Sequence, residues 1–403
     1  MKHLTTLQWC ARWVVVVGVV ACAGRKSPLS GYVWSDPSAR TGVEEPAHAV
    51  LKTYAAAIDG SVRAAALEVL VRAGAEPGGG PYGIAAIWDP EPWVQRAAVR
   101  GLVARGAEPA SLERLAVLAA RPQIDPYVRC RAALLLPGEF SESVGQSVDE
   151  GWVGAPLWQA LPCATAAAVH GSEPALAVVR EALSSGAVAL DPEFMRILSQ
   201  QSLEGMDTSL REGLASADEL ARPAYVSALL VRGQAAALDE LRTSLVDPDP
   251  LVRMEAVLSL SAVDTPATST MLNRTATERQ TPEASVASLV VAARNGANFR
   301  VFEEAWLNDN RDVRRAAIVF GAEHVLRQEA RGSRSARKRL EGLLAEALVD
   351  ADPTTSTEAL RQVGRVAMHN LEPVVSALLN DTEADAHVRI AAAAAWIRLE
   401  SAQ

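Results

Sequence analysis

The sequence is poor in the residues from which most catalytic centres are built. Six histidines and four cysteines are spread over 403 residues, with no HExxH and no pair at ligand spacing, so neither a metal site nor a His-based acid–base pair is expected. Aromatic residues make up only 5%. So few cysteines in so long a chain exclude a disulfide-stapled mini-fold. Basic residues are not in excess: 39 Lys+Arg face 48 Asp+Glu, a formal charge of −9. That argues against a nucleic-acid partner, whose phosphates demand a cationic surplus. No stretch of alternating β-branched residues reads as a strand, and there is no GxSxG. Gly78-Gly79-Gly80 lacks the Lys-Ser/Thr of a phosphate loop and reads as an inter-helix turn. The acid pair Glu303-Glu304 reads as a solvated helix face rather than a catalytic dyad. No cofactor motif emerges, and the expectation is of a protein that is not an enzyme. The chain does have 49% apolar residues, a globular composition.

The N-terminus has the grammar of an export signal. Lys2 and Arg12 precede an apolar run from Trp13 to Val20, and small residues come after it. The run falls short of the roughly 20 residues that a membrane-crossing helix needs. Its end, Val19-Val20-Ala21-Cys22, resembles the lipobox of bacterial lipoproteins. The resemblance implies a signal peptide over 1–21, lipidation of Cys22, and a membrane anchor through the acyl chains. Ala23 is not the aspartate that retains lipoproteins at the inner membrane, so the resemblance favours an outer-membrane protein facing the periplasm. Cys10 follows the bulky Leu7-Gln8-Trp9 and fits no such site. An ordinary cleaved signal or a buried N-terminal helix are the competing readings. Residues 22–45 mix Gly, Ser, Pro and charge without periodicity and read as a flexible tether. Loss of 1–21 removes two basic residues and no acid, moving the charge from −9 to −11.

The rest of the chain is periodic. Segments such as SVRAAALEVLVRAG (61–74), EPWVQRAAVRGLVARG (91–106), DPYVRCRAALLLPG (125–138), DPDPLVRMEAVLSL (247–260) and ADAHVRIAAAAAWIRL (384–399) share one template. The residue before the Arg-type position gives anchors at 62, 94, 128, 221, 252, 284, 313 and 388. Gln159 and Phe194 serve as degenerate anchors, and one more falls near Thr357. The spacing predicts eleven units of about 33 residues over 46–403. An Asp four residues before the Arg recurs at Asp59, Asp125, Asp218, Asp249 and Asp385, where it can cap a starting helix. Pro90, Pro126, Pro248 and Pro250 stop one helix or open the next. Gly74, Gly106, Gly233 and Gly296 close helices where a left-handed residue is wanted. Ala pairs between these signals permit close helix approach, and stacked hairpins bury a face that one hairpin cannot. The expected fold is an all-α solenoid of about eleven stacked HEAT-like helical hairpins over 46–403.

DPDPLVRMEAVLSL and its relatives resemble HEAT repeats of the short, phycobilisome-lyase-like class. The likeness is clear near 59, 89, 125, 247, 309 and 385. It is weak between about 150 and 215, where Pro156, Pro162 and Pro192 intervene and the Val-Arg pair is lost. It implies antiparallel helix pairs with the second helix of each lining a concave surface, and it is specific for fold more than for function.

Three features remain. Cys130 and Cys163 lie one repeat apart, but neighbouring stacked helices run about 8–10 Å apart, too far for a bridge, so two buried thiols are expected. Residues 325–348 form a longer, basic inter-repeat segment carrying Arg327, Arg331, Arg334, Arg337, Lys338 and Arg339. This is either a contact patch for anionic lipid, lipopolysaccharide or an acidic partner, or a longer exposed helix whose charges are merely solvated. Repeat-spanning residues, namely Arg63, Gln95, Arg129, Arg253, Arg314 and Arg389, are expected to form an internal ladder with the Asp row. The combined expectation is a lipid-anchored scaffold of the bacterial cell envelope that binds unknown envelope proteins through a repeat surface. The competitors are a HEAT-like enzyme or a small-ligand or cofactor-binding protein, signalled by an acid–aromatic pocket near Trp88 and Trp93 or near Trp152 and Trp158, and a purely structural spacer.

Overall fold

Proline and short polar side chains set the helix starts, and alanine-rich apolar runs make up the helices that open there. The computed structural model describes residues 46–73, 77–106, 108–186, 192–218, 221–232, 235–278 and 281–402. Residues 1–45, on which the expected signal peptide, Cys22 and the expected tether fall, lie outside them. Among the described residues there are twenty-two α-helices and no strand. In chain order they are α1 (Pro46–Ala55), α2 (Gly60–Ala73), α3 (Gly80–Ile87), α4 (Pro92–Ala104), α5 (Pro109–Ala119), α6 (Pro126–Ala133), α7 (Glu142–Trp152) and α8 (Leu157–Val169). Next come α9 (Glu173–Ser184), α10 (Pro192–Ser199), α11 (Met206–Ser216), α12 (Arg222–Val231), α13 (Ala235–Ser244), α14 (Pro250–Ser261) and α15 (Pro266–Glu278). The last are α16 (Pro282–Asn295), α17 (Arg300–Trp306), α18 (Arg311–Ala330), α19 (Arg337–Leu348), α20 (Pro353–Val366), α21 (Glu372–Asn380) and α22 (Ala386–Ser401). No helix of these is long and apolar enough to cross a membrane.

The even-numbered helices carry the repeat signature. Val62, Val94, Val128, Gln159, Phe194, Val252, Ala284, Val313 and Val388 are each the third residue of an even helix. Two anchors shift: Ala221 caps α12 from just outside it, and in α20 the third position is the buried Thr355 rather than Thr357. All five recurrent aspartates accept hydrogen bonds from the amides of starting helices: Asp59 from Ser61, Asp125 from Val128, Asp218 from Ala221, Asp249 from Leu251 and Asp385 from His387. Gly296 closes α16 at φ 72°, and Gly106 comes just after α4 at φ 79°; both positions are left-handed and disfavour a Cβ. Gly74 and Gly233 lie outside the described residues.

Pro156 and Pro192 open α8 and α10, so they are start signals and not interruptions, whereas Pro162 is contained within α8. The weak stretch near 150–215 therefore keeps the hairpin period although its anchor chemistry has drifted.

Two compact units divide the chain. Among the described residues, one contains Gly106–Met271; the other joins Pro46–Arg105 with Leu272–Ala402. In the first, even helices pack in the pairs α6–α8, α10–α12 and α12–α14, with odd helices alongside. In the second, α2 packs on α4, and α16, α18, α20 and α22 pack in succession. There α1 and α2 also pack against α22, so the first hairpin and the last helix are neighbours. The even helices are apolar on most sides. α14 buries Val252, Met254, Ala256, Val257, Leu258 and Leu260, while α5 buries the single face of Ser111, Leu115, Leu118 and Ala119.

The cysteines are bridged, contrary to the expectation of two thiols. Cys130 on α6 and Cys163 on α8 form a disulfide with their Cα atoms 4.7 Å apart. Axis separation is the wrong measure: each Cα sits about 2.3 Å off its axis, so residues that face each other across a close contact approach far nearer than the axes do.

Candidate functional site

The turns before the even helices hold a repeated polar arrangement. An Asp or Asn two residues before the cap folds back on the cap's own amide: Asp89 on Glu91, Asp247 on Asp249, Asn308 on Asn310 and Asp350 on Asp352, all at 2.8–2.9 Å. The Arg one turn into the helix donates to two carbonyls of its own turn. Arg63 reaches Ala57 and Ile58, Arg253 reaches Asp247 and Pro248, and Arg314 reaches Asn308 and Asp309.

The Arg then reaches forward to the folded-back Asp of the next repeat. Arg63 meets Asp89 at 2.6 Å, Arg222 meets Asp247 at 3.2 Å, and Arg314 lies 4.0 Å from Asp350. Of the residues expected to form a ladder with the cap aspartates, Arg63 and Arg314 form rungs, and they do so with Asp89 and Asp350 of the following turn rather than with the expected Asp row. Burial works to raise the Asp89 carboxyl, yet the Arg63 guanidinium and the Glu91 amide hold it below the ordinary carboxylate value. Gln95 donates to the Asp89 carbonyl, and Arg129 is buried with one bond to Pro122. Arg389 lies over the Tyr54 ring and donates to its hydroxyl. The Gln95 and Arg129 bonds are local to their own turns, and only Arg389 of these three joins distant helices.

The basic segment is the end of α18, a turn, and the start of α19. Half of its cations are engaged. Arg327 pairs with Glu323, Arg337 pairs with Glu329 and donates to the Val366 and Ala367 carbonyls, and Arg339 grips Glu303 with two nitrogens. Arg331, Arg334 and Lys338 are exposed and have no ion pair among the described residues. Glu303, read from sequence as solvated, is held below its ordinary value by the Arg339 hydrogen bond. The six residues thus do not form one uniform patch.

At the α3–α4 turn both tryptophans are more than half exposed. Trp88 caps α3 at 51% exposure, and Trp93, the second residue of α4, is 57% exposed with Arg96 over its ring. Ile84, one helical turn before Trp88, is 51% exposed. Its i, i+4 spacing from Trp88 was the available sequence signal for an apolar surface here. Trp152 donates to Asp149, and the Trp158 side chain lies outside the described residues. Gly78–Gly79–Gly80 forms the expected inter-helix turn.

A cavity of about 460 Å³ lies by the start of α16, lined by Thr281, Ser285, Ser288 and Asn308 among small apolar residues. Among the described residues no group of three His, Cys, Asp or Glu is placed to hold a metal. His170 and His324 are held below the ordinary imidazole value chiefly by burial, and His369 pairs with Glu372 at 2.7 Å.

The profile of the HEAT-repeat family matches residues 208–292. Among solved structures, the chain is similar to an engineered protein determined by a structural-genomics consortium, at 14% identity and a TM-score of 0.29, over 89% of this chain and 99% of that one. No curated protein matches. The chain is an all-α repeat array of HEAT-like helical hairpins.

Proposed function

We propose that the protein is a lipid-anchored scaffold of the bacterial cell envelope. Residues 1–21 direct export, Cys22 carries the acyl chains, and 22–45 tether the hairpin array to the outer membrane facing the periplasm. The array performs no catalysis of its own and offers a contact surface to another envelope protein. The observation that carries the contact reading is the exposure of Ile84, Trp88 and Trp93 around one inter-helix turn, in a chain with few aromatics. Half-exposed tryptophans are the side chains that most often anchor protein interfaces. HEAT repeats generally mediate protein–protein contact, which favours the same reading. The Cys130–Cys163 bridge supports export, since such bonds persist in oxidising compartments.

The test is in-cell crosslinking of the native protein, followed by detergent extraction and mass spectrometry, for the wild type and for Trp88→Ser/Trp93→Ser. One envelope protein recovered in near-equal amount with the wild type and lost with the variant supports the reading. Recovery of cytosolic proteins, or of the same partner with both forms, overturns it. Cys22→Ala is expected to move the protein from the membrane to the soluble fraction.

A further inference from the structure

Four arginines lie on the helices that pack together at the first and last repeats of the second unit. Arg72 lies in the last turn of α2, Arg361 and Arg365 lie one turn apart on α20, and Arg398 is in the last turn of α22. α22 packs against both α2 and α20. Gly364, between the two α20 arginines, lets the Arg398 stem lie across that helix. A Cβ there would stand 2.9 Å from the Arg398 Cδ and 3.3 Å from the Ala395 Cα.

Their surroundings supply carboxylates to only two of them. Arg361 is paired with Glu358 at 2.6 Å and Arg365 with Glu323 at 2.7 Å, but Glu323 is shared with Arg327. Arg72 and Arg398 have no hydrogen-bond or ion-pair partner among the described residues. Burial, reinforced by the other three guanidinium groups, pulls Arg398 down to about 9, so it is still charged at neutral pH. An unpaired cation in such a place is costly unless something arrives to pair with it. Arg398 keeps part of its surface accessible within this packing.

From this juxtaposition we infer that Arg72, Arg361, Arg365 and Arg398 form a binding site for a doubly charged oxyanion of the phosphate type. Guanidinium forks suit its tetrahedral oxygens, and two negative charges answer the two cations left without carboxylates. The anion is either inorganic phosphate or the phosphoryl group of a small phosphate ester. Such a site neither requires nor excludes the scaffold role.

The test uses the full-length chain, with binding followed by calorimetry and by the melting temperature. The probes are inorganic phosphate and glycerol 3-phosphate, against chloride at equal ionic strength. The wild type is expected to bind one phosphate saturably and to melt higher with it than with chloride. Arg398→Met and Arg72→Gln should each weaken binding roughly tenfold or more. Without phosphate, Arg398→Met should melt no lower than the wild type, because it removes an unpaired charge. Gly364→Ala, which displaces Arg398 without removing it, should weaken binding too. Tighter binding of the ester identifies a phosphorylated small molecule; equal binding identifies the free anion. Absence of a saturable phosphate site in the wild type, or unchanged binding in both Arg398→Met and Arg72→Gln, overturns the assignment. So does an Arg398→Met protein that melts lower without phosphate, for then the arginine is a structural partner of the helix C-termini.

Discussion

At the scale of single residues, the repeat anchor is where substitution should cost most. Val252 is 1% exposed on α14, so Val252→Asp places a carboxylate among apolar side chains and should destabilise the fold by roughly 3–5 kcal/mol. A clear fall in melting temperature by circular dichroism is expected; an unchanged melt would show that the side chain does not face the core. The Cys130–Cys163 bridge closes a loop of sequence separation 33, so Cys163→Ala or reduction should cost roughly 2–4 kcal/mol. A thiol assay of the oxidised protein that finds both cysteines reactive on denaturation would disprove the bridge.

Titration adds a further expectation. Burial, partial at His170 and nearly complete at His324, holds both below the ordinary imidazole value of 6.5. The unfolded chain therefore takes up protons before the folded one, and stability falls as pH drops through 6.5 toward the folded values. Asp89 and Glu323 are also lowered, despite burial that opposes the shift, by Arg63 and by Arg365 with Arg327. Their contribution is lost later, as pH falls from the ordinary carboxylate values of 3.8 and 4.5 toward the lower folded values. Asp312, raised by burial, acts in the opposite sense. Melting temperature should therefore fall in two stages on acidification; a flat profile down to about pH 5 would contradict burial of the imidazoles.

At the scale of elements, a helix is specified twice, once by its cap and once by the turn that binds it to the next repeat. Caps and stops were legible because they are local: Asp125 bonds the amide of Val128 three residues on, and Gly296 needs only its own φ. The rungs were not legible, since Arg63 and Asp89 are 26 residues apart and nothing in either segment marks its partner. The same holds for the bridge, for the engagement of Arg339 by Glu303 across 36 residues, and for the phosphate-type site, whose arginines come from three helices. The tryptophans of the α3–α4 turn were visible in the sequence, but their exposure depends on packing. If the rungs tie repeats together, Arg63→Gln and Asp89→Asn should be coupled. The side chains are 14% and 10% exposed, so a double-mutant cycle on denaturant midpoints should give an interaction of about 1–3 kcal/mol. Additive single effects would mean that the rung contributes nothing to stacking.

At the scale of the molecule, the second unit is built from both ends of the chain. In an open repeat array each end needs a polar face, and loss of one terminal repeat leaves the distant end untouched. Here α1 and α2 cover α22, with Ala47 and Leu51 of α1 fully buried. The Arg389–Tyr54 contact spans a sequence separation of 335. Truncation before α22 should therefore be felt by α1. Amides of Pro46–Ala55 should exchange hydrogen much faster in a chain ending at residue 385 than in the full chain, while those of α12 and α14, in the other unit, should change least. Tyr54→Ala in the full chain should produce the same pattern in weaker form, because it removes the Arg389 contact without removing the helix. Protection of α1 that survives the truncation would mean that the two ends are energetically independent. Coupling of this kind also delays folding, since the pairing of α1 with α22 must wait until both termini of the second unit exist and have met.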